Sequence, residues 1–441
     1  MNTPICDFVR KYALDDNLRL HMPGHKGRGE VERFDLTEID GADSLYEASG
    51  IIKESEDNAS GLFGSYTLYS TEGSSLAIRA MLYLAMLERR AEGRPTVLAA
   101  RNAHKVFVSA AALLDFDVEW LIGDGSSYLS ANPSASEVAE KLDGMATKPI
   151  AVYLTSPDYL GNTSDIAGIA QVCHKRDVLL LVDNAHGAYL AFTTPSRHPI
   201  ALGADMCADS AHKTLPCLTG AAYLHIANAV LESVKARAKS ALALFGSTSP
   251  SYLILESLDR ANAYIEDGYK EKLATFTDKL NGLKERLESI GYKTVGDEPM
   301  KLTLAPKSYG YTGYELADVL TGEGIVPEFA DPDYLVLMPT PEISDNELKK
   351  LENTLTSLRK QDEIPLSAPT LTLPKRRLSP REAVLSEAEK IAAKDSLGRV
   401  LADITVGCPP AVPIVVSGEE IDENALKVFE YYGIDNCTVI K

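Results

Sequence analysis

The sequence lacks the features that mark disulfide-stapled, secreted and membrane proteins. Its six cysteines are scattered through 441 residues without a Cys-x-x-Cys pair, so neither a disulfide framework nor a zinc site is predicted. No apolar run approaches the roughly 20 residues that a membrane helix needs. The first residues are charged where a signal peptide needs an apolar core. We therefore expect a cytoplasmic protein without a membrane segment.

Basic residues are also fewer than acidic ones. The chain has 44 lysines and arginines against 63 acidic residues, a formal net charge of -19. This balance argues against broad binding to nucleic acid or to anionic membranes, and it is compatible with a cationic substrate. The length is sufficient for about two or three domains around a large core.

Strands and helices alternate through much of the chain. Near-continuous apolar segments predict strands and the segments between them predict helices, a pattern typical of a parallel sheet with helices on both faces. The predicted strands are 95–102, 116–123, 149–157 and 178–190, and the predicted helices between them are 106–115, 134–146 and 164–177.

The remaining segments are less regular. We expect a helix in residues 1–20, a loop-rich stretch over 35–70, a long helix after it, and mostly helices over 227–290. A small α+β unit should follow, with strands at 300–308 and 333–340, a helix between them and a helix at 344–361. A Pro-containing linker is expected at 361–380. The C-terminal region after it should have a helix at 380–395, further strands and a final helix.

Polar side chains collect where the predicted strands end. In parallel sheets ligands bind beyond the carboxyl ends of the strands, so these side chains are candidates for one site. They are Asn102, His104, Thr155, Ser156, Asp183, His186, Ser210, His212 and Lys213.

Lys213 lies at the centre of the stretch 204–224, among small and hydroxyl side chains such as Ser210 and Thr214. An amine in that setting suits a lysine that forms a Schiff base. A plain loop lysine between two strands is the alternative that this stretch alone leaves open.

A Gly-Ser-Ser turn at residues 73–75 opens the long helix. Free N–H groups and two hydroxyls would converge there at the positive end of the helix dipole, which favours an anion. The alternative is a plain helix cap made by Ser74 or Ser75.

Together these features suit pyridoxal phosphate. Its aldehyde needs an amine (Lys213), and its pyridine nitrogen needs a carboxylate (Asp183) to stay protonated. Its phosphate needs donors, for which Ser74, Ser75 and Ser210 are placed, and His104 could stack on the ring. Asp183 as a turn cap and His104 as a core-edge histidine are the alternatives.

The loop HMPGHKGRG has two histidines four residues apart. His21 and His25 would share a helix face, but Pro23 and Gly24 break the helix, so no metal site is predicted there.

Several motifs then resemble one family. The sequence is similar to the bacterial ornithine/lysine/arginine decarboxylases of pyridoxal-phosphate fold type I, in the shorter form without an N-terminal receiver-like domain. The likeness covers residues from about 20 to about 420, and the motifs are SAHKTLPCLTGAAYL, DNAHGAYLAF, HMPGHKGRG, RNAHK and SPREA.

The resemblance implies an α/β fold: an aspartate-aminotransferase-like large domain with a mostly parallel sheet, and a smaller α+β C-terminal region. The implied domains are an N-terminal segment (1–70), a cofactor-binding large domain (71–290), a small α+β domain (291–362) and a C-terminal domain (363–441).

By the same resemblance, Lys213 forms the Schiff base, Asp183 pairs with the pyridine nitrogen, His104 stacks on the ring and His186 lies beside it. The residues implied to hold or border the phosphate are Gly73, Ser74, Ser75, Ser210 and His212. Either Lys213 or His212 would return a proton to the substrate.

The implied activity is decarboxylation of lysine, arginine or ornithine to an amine and carbon dioxide. The resemblance also implies a homodimer or larger oligomer with active sites at the subunit interface. The HMPGHKG loop would lie near one of these sites. An aminotransferase, lyase or aldolase of the same fold, and an inactive regulatory paralogue, remain alternatives.

Four positions depart from the family pattern: Glu72 beside the phosphate turn, Asn184 for an acid, Tyr189 for a histidine and Ala411 for a glycine. We expect Glu72 to point away from the phosphate. Asp43 and Glu47 are candidates for binding the far end of the substrate.

Overall fold

The computed structural model describes residues 1–15, 17–89, 93–123, 125, 127–365, 368–408 and 412–441. Its largest sheet has seven strands in the order β1-β7-β6-β5-β4-β2-β3. Parallel pairing joins β5 to β6 and β2 to both β3 and β4, whereas β7 is antiparallel to β1 and β6. The strands are β1 (Tyr66–Ser70), β2 (Thr96–Ala100), β3 (Asp117–Leu121), β4 (Ala151–Thr155), β5 (Leu179–Asp183), β6 (Met206–Asp209) and β7 (Ala222–Ile226).

The mostly parallel α/β sheet predicted from the sequence is thus confirmed. The α-helices are α1 (Pro4–Leu14), α2 (Ile51–Phe63), α3 (Gly73–Glu88), α4 (Lys105–Leu114), α5 (Ala135–Gly144), α6 (Ile166–Lys175), α7 (Ala211–Thr214), α8 (Glu232–Phe245), α9 (Tyr252–Glu266), α10 (Tyr269–Ser289), α11 (Gly313–Gly322), α12 (Asp345–Ser357), α13 (Pro380–Val384) and α14 (Glu423–Tyr431). No helix of the described ranges is both long and apolar enough to cross a membrane.

One compact unit comprises Met1–Arg90 and Ile166–Leu273. Every residue of β5, β6 and β7 is buried. Burial on both faces explains why the sequence of β5 is a nearly continuous apolar run. In the parallel pair β5–β6, Asp183 lies opposite Ala208. The residues that follow β5 and β6 therefore emerge at the same edge of the sheet.

The other compact unit comprises Ala91–Asp165 and Ala274–Lys441. Besides β2, β3 and β4 it contains short antiparallel sheets, with strand orders β10-β11-β9-β8, β12-β15 and β13-β14. A core that includes Leu129, Val336, Ile414 and Phe429 supports them. These strands are β8 (Thr294–Val295), β9 (Leu302–Leu304), β10 (Phe329–Ala330), β11 (Leu335–Leu337), β12 (Ala388–Ala392), β13 (Thr405–Cys408), β14 (Val412–Val416) and β15 (Asn436–Ile440).

Two predicted segments were wrong. The stretch 35–70 contains α2 and β1 rather than loop alone, because Ile52, Ala59 and Phe63 give α2 a buried face despite its many polar residues. The helix expected over 380–395 ends after α13. Its second half is β12, which pairs with β15 at the far end of the chain, so tertiary pairing outweighs local helix propensity there.

Candidate active site

The centre of the candidate site is the edge where β5 and β6 end. Asp183 is the last residue of β5 and is buried. Ser210 follows β6, and Lys213 lies in the single helical turn α7. The loop expected around Lys213 is therefore a helical turn, whose Lys213 N–H donates to the Ser210 carbonyl at 3.1 Å. The turn presents the amine at the strand ends, where ligands of such sheets bind.

The amine of Lys213 lies beside a second base. Its Nζ is 3.0 Å from Nε2 of His186, which is buried. At that distance one of the two nitrogens donates a hydrogen bond to the other. The neutral amine is the form of a lysine that attacks a carbonyl carbon, and the contact identifies His186 as a base beside this amine.

The turn after β5 fixes both Asp183 and His186. Asp183 Oδ1 accepts from the Ala185 N–H at 3.1 Å. The Asn184 N–H donates to the Ala208 carbonyl of β6 at 2.9 Å, and the Gly187 N–H donates to the Asn184 carbonyl at 2.8 Å. A tight turn tied to the neighbouring strand holds the carboxylate and the imidazole in fixed directions.

The start of α3 has the geometry that an anion site needs. Gly73 begins the helix at φ +72°, and its N–H donates to the Gly220 carbonyl at 2.7 Å. A Cβ added there would meet nothing within 4 Å, so the turn faces open space. Ser210 donates its hydroxyl to Ser74 Oγ at 2.8 Å, which brings hydroxyls from α3 and from the Lys213 turn together.

The sequence left open that Ser74 or Ser75 caps the helix, and the structure shows that neither does. The cap position is Glu72, and no side chain caps the helix. Both hydroxyls therefore lie within the first turn, where backbone N–H groups have no partner within the helix. A phosphate is the kind of group that such a turn binds.

Glu72 is turned to another part of the same unit. Its Oε1 accepts from the Ser247 N–H at 2.6 Å. Burial, together with the charge of Glu72, raises the pKa of Tyr46 to about 12. The carboxylate is thus engaged elsewhere, as expected of an acid beside a phosphate site.

His212 and His104 are each held by the backbone. His212 Nδ1 lies 2.9 Å from the Ala221 carbonyl, to which it donates. His104, in the second unit, caps α4 and accepts from the Val106 N–H at 3.3 Å through Nδ1. The proton of a neutral His104 is therefore on Nε2. Stacking of His104 on the cofactor stays a prediction.

The N-terminal candidates have other partners. Asp43 accepts backbone N–H bonds around the start of α2, from Ser49, Gly50 and Ile52 among others, so its carboxylate stabilises the start of that helix. Glu47 is exposed in a short 3₁₀ turn. His21 contacts Tyr12 and His25 contacts Asp35. The two histidines thus have separate partners.

Ala411, one of the departures from the family pattern, lies outside the described residues. Tyr189, by contrast, is fully buried in the 3₁₀ helix Ala188–Phe192.

The donor set of the first unit fits pyridoxal phosphate. It combines an amine beside a base, a buried carboxylate, and paired hydroxyls at a helix start that faces open space. These groups match the aldehyde, the pyridine nitrogen and the phosphate of that cofactor.

Comparison with known protein families identifies two regions. Residues 3–295 match the major domain of the Orn/Lys/Arg decarboxylases, and residues 366–435 match the C-terminal domain of the same family.

Full-length relatives agree with this match. An arginine decarboxylase of Bacillus subtilis is 30% identical, over 97% of this chain and 93% of its own. An arginine decarboxylase of Halalkalibacterium halodurans is 29% identical, over 96% and 92%.

Solved structures have the same fold at lower identity. The constitutive lysine decarboxylase of E. coli superposes with a TM-score of 0.79 at 18% identity, covering 100% of this chain and 82% of its own. The lysine decarboxylase of Francisella novicida gives 0.82 at 19%, covering 100% and 81%. With its major and C-terminal domains both matched, the chain belongs to the Orn/Lys/Arg decarboxylase family and is a pyridoxal-phosphate-dependent decarboxylase of basic amino acids.

Proposed function

We propose that the substrate is arginine, which is converted to agmatine and carbon dioxide. The support is that relatives aligned over 96–97% of this chain are arginine decarboxylases. The lysine decarboxylase structures are 18–19% identical and support the fold rather than a substrate. The acidic charge balance of the chain is compatible with a guanidinium group.

The residue roles rest on one observation, the 3.0 Å contact between Lys213 Nζ and His186 Nε2. Lys213 would hold the cofactor through its amine, with His186 as the base that takes up the ammonium proton. Asp183 would keep the pyridine nitrogen protonated. Ser74, Ser75, Ser210 and the N–H groups of the first turn of α3 would hold the phosphate.

The chemistry that pyridoxal phosphate supplies when bound is an electron sink for the bond that breaks at the substrate Cα. The chain itself supplies charge and protons. The Asp183 carboxylate, fixed by the Ala185 N–H, stabilises positive charge at the ring nitrogen. As the carboxylate of the substrate leaves as carbon dioxide, a proton must replace it at Cα, and we assign that proton to Lys213 Nζ, which exchanges it with His186 Nε2.

We also propose a homodimer or larger oligomer in the cytoplasm that takes part in polyamine biosynthesis. Exposed apolar side chains support association: Leu14, Leu18, Leu20 and Met22 are each at least 67% exposed within the N-terminal segment. Such side chains favour contact with another surface. Light scattering on the purified protein tests the assembly, and a monomer at micromolar concentration would contradict it.

An amino-acid panel tests the substrate. Arginine, lysine and ornithine are each supplied with added pyridoxal phosphate, and carbon dioxide and amine are measured together. We expect equal amounts of carbon dioxide and agmatine, with the highest kcat/KM for arginine. A higher kcat/KM for lysine or ornithine would overturn the substrate. A 2-oxo acid product would instead favour transamination.

A further inference from the structure

Four potential metal ligands converge in the core of the first unit. The side chains are His198, Cys207, Asp209 and His225, and one donor atom of each lies within 4.8 Å of the donor atoms of the others. Each is at most 1% exposed. Buried groups of this kind occur where they are paired or coordinate a metal.

The fold brings them together from distant parts of the sequence. Cys207 and Asp209 are two residues apart on β6, so their side chains share one face of the sheet. His225 lies directly opposite Cys207 in the antiparallel pair β6–β7. His198 reaches the same place from the segment that precedes β6. The spacing H-x8-C-x-D-x15-H lacks a Cys-x-x-Cys pair, which is why the sequence alone predicted no metal site.

The distances suit a tetrahedral ion. His198 Nε2 and His225 Nε2 lie 3.0 and 3.2 Å from Asp209 Oδ2. Cys207 Sγ lies 3.7 Å from His198 Nε2. Around a zinc ion with bonds of about 2.0–2.3 Å, tetrahedral ligand atoms are separated by roughly 3.3–3.8 Å. The 3.7 Å contact lies within that range and the 3.0 and 3.2 Å contacts lie just below it, so the two imidazoles need to move outward by a few tenths of an ångström to admit the ion.

Hydrogen bonds from neighbouring residues orient the ligand side chains, and within the cluster His198 Nε2 is hydrogen-bonded to Asp209 Oδ2 at 3.0 Å. His225 Nδ1 contacts Thr67 Oγ1 at 2.9 Å and Ser65 Oγ at 3.2 Å, as outer-shell partners orient a ligand imidazole. Asn184 Nδ2 donates to the outer oxygen of Asp209, Oδ1, at 2.7 Å. His225 Nε2 is buried and has no hydrogen-bond partner among the described residues, although it faces Asp209 Oδ2.

We propose that His198, Cys207, Asp209 and His225 bind one zinc ion. A thiolate, a carboxylate and two neutral imidazoles balance the two charges of the ion, and this mixture of soft and borderline ligands suits zinc. All four positions are filled by the protein, so the site is structural and leaves none for substrate. The ion would connect β6 and β7 to the segment around His198. One of its ligands, Asp209, directly precedes Ser210 in the sequence.

Metal content tests the proposal directly. The holoenzyme, purified with zinc in the growth medium and dialysed against EDTA, should retain about one zinc per chain by inductively coupled plasma mass spectrometry. C207S and H225Q should each lower this at least about tenfold. C173S is the matched control, because Cys173 is also buried in the first unit but lies on α6, and it should keep the full content.

Cobalt provides a readout that needs no variant. Wild-type protein refolded with Co²⁺ should show the intense visible absorption of tetrahedral cobalt with a thiolate ligand, at longer wavelength than the cofactor band. The proposal is overturned if folded wild-type protein retains no metal and gives no cobalt absorption after refolding. The cluster would then be a metal-free network in which Asp209 accepts hydrogen bonds from its neighbours.

Discussion

Two polar clusters, one in each unit, differ in what they bring together. In the second unit, Arg101 binds Glu419 with both terminal nitrogens, at 2.8 and 2.7 Å. It also donates to the Ile414 carbonyl at 3.0 Å and stacks over Trp120 at 4.7 Å. In the first unit, Lys213 Nζ faces the imidazole of His186 at 3.0 Å.

The difference distinguishes a polar cluster that supports the fold from one that is suited to catalysis. Opposite charges in bidentate geometry, as in Arg101 and Glu419, compensate each other's loss of water. Lys213 and His186 are instead two nitrogen bases in contact, without an opposite charge between them, and an amine beside a base is the arrangement of an activated nucleophile. Substitutions in the Arg101–Glu419 pair should therefore affect stability, and substitutions at the Lys213–His186 contact should affect catalysis.

The largest effect is expected for K213A. Loss of the amine should lower decarboxylation by at least about 10³-fold and remove the absorption band of lysine-bound cofactor, while the urea midpoint changes little because the side chain is half-buried. K270A, at an exposed position of α10, is the control. A borohydride-reducible adduct that persists in K213A would show that another lysine holds the cofactor.

Breaking the buried ion pair should cost stability. R101M leaves the Glu419 carboxylate without its guanidinium partner, and the free energy of unfolding in urea should fall by about 3–5 kcal/mol. The double variant R101M/E419Q should recover part of that loss, because no unpaired charge remains. Additive effects of the two substitutions would mean that the pair is not energetically coupled.

D183N keeps the shape of the side chain but removes its charge. We expect kcat to fall about 10²-fold or more with the cofactor still bound, because the ring nitrogen loses the carboxylate that keeps it protonated. D278N, on the exposed face of α10, should leave kcat unchanged. Undiminished turnover in D183N would exclude the proposed role.

The hydroxyl pair should contribute to cofactor affinity. S210A removes the hydroxyl that contacts Ser74, and the Kd for pyridoxal phosphate should rise about tenfold, the value of one hydrogen bond to a charged group. S134A removes the cap of α5 in the other unit. It should cost about 1 kcal/mol of stability and leave the Kd unchanged. Equal Kd values for wild type and S210A would remove Ser210 from the phosphate site.

A further prediction concerns the pH dependence of stability and the buried Glu256, which is 3% exposed. Burial raises its pKa from 4.5 to about 7, although Arg260 and Arg10 oppose the shift. The folded state therefore holds a proton that the unfolded state releases, so stability falls as pH rises from 4.5 to 7. E256Q lacks this loss, and a pKa rise from 4.5 to about 7 corresponds to at most about 3 kcal/mol at pH 8. We therefore expect E256Q to be more stable than wild type by up to that amount at pH 8 but equal at pH 4.5. Matching pH profiles would show that Glu256 titrates normally.

Several parts of the fold and site could be predicted from the sequence. The alternation of apolar strands with helices predicted the parallel sheet, since burial on both faces leaves a continuous apolar pattern such as that of β5. The motif around Lys213, with Asp183 after the preceding strand, indicated pyridoxal phosphate, because few cofactors need an amine, a carboxylate and anion donors together. Segments such as β12 were missed because their partners lie far away in the chain.

The sequence by itself determined the sheet, the family and the residue types of the site. These depend on local periodicity and on short motifs, which are written in neighbouring residues. Only the tertiary structure decided that His186 meets Lys213, that Asp43 caps α2, and that His198 and His225 converge on Cys207 and Asp209. Each of these contacts joins side chains whose distance is set by strand pairing and turn geometry, and no local pattern encodes such a distance.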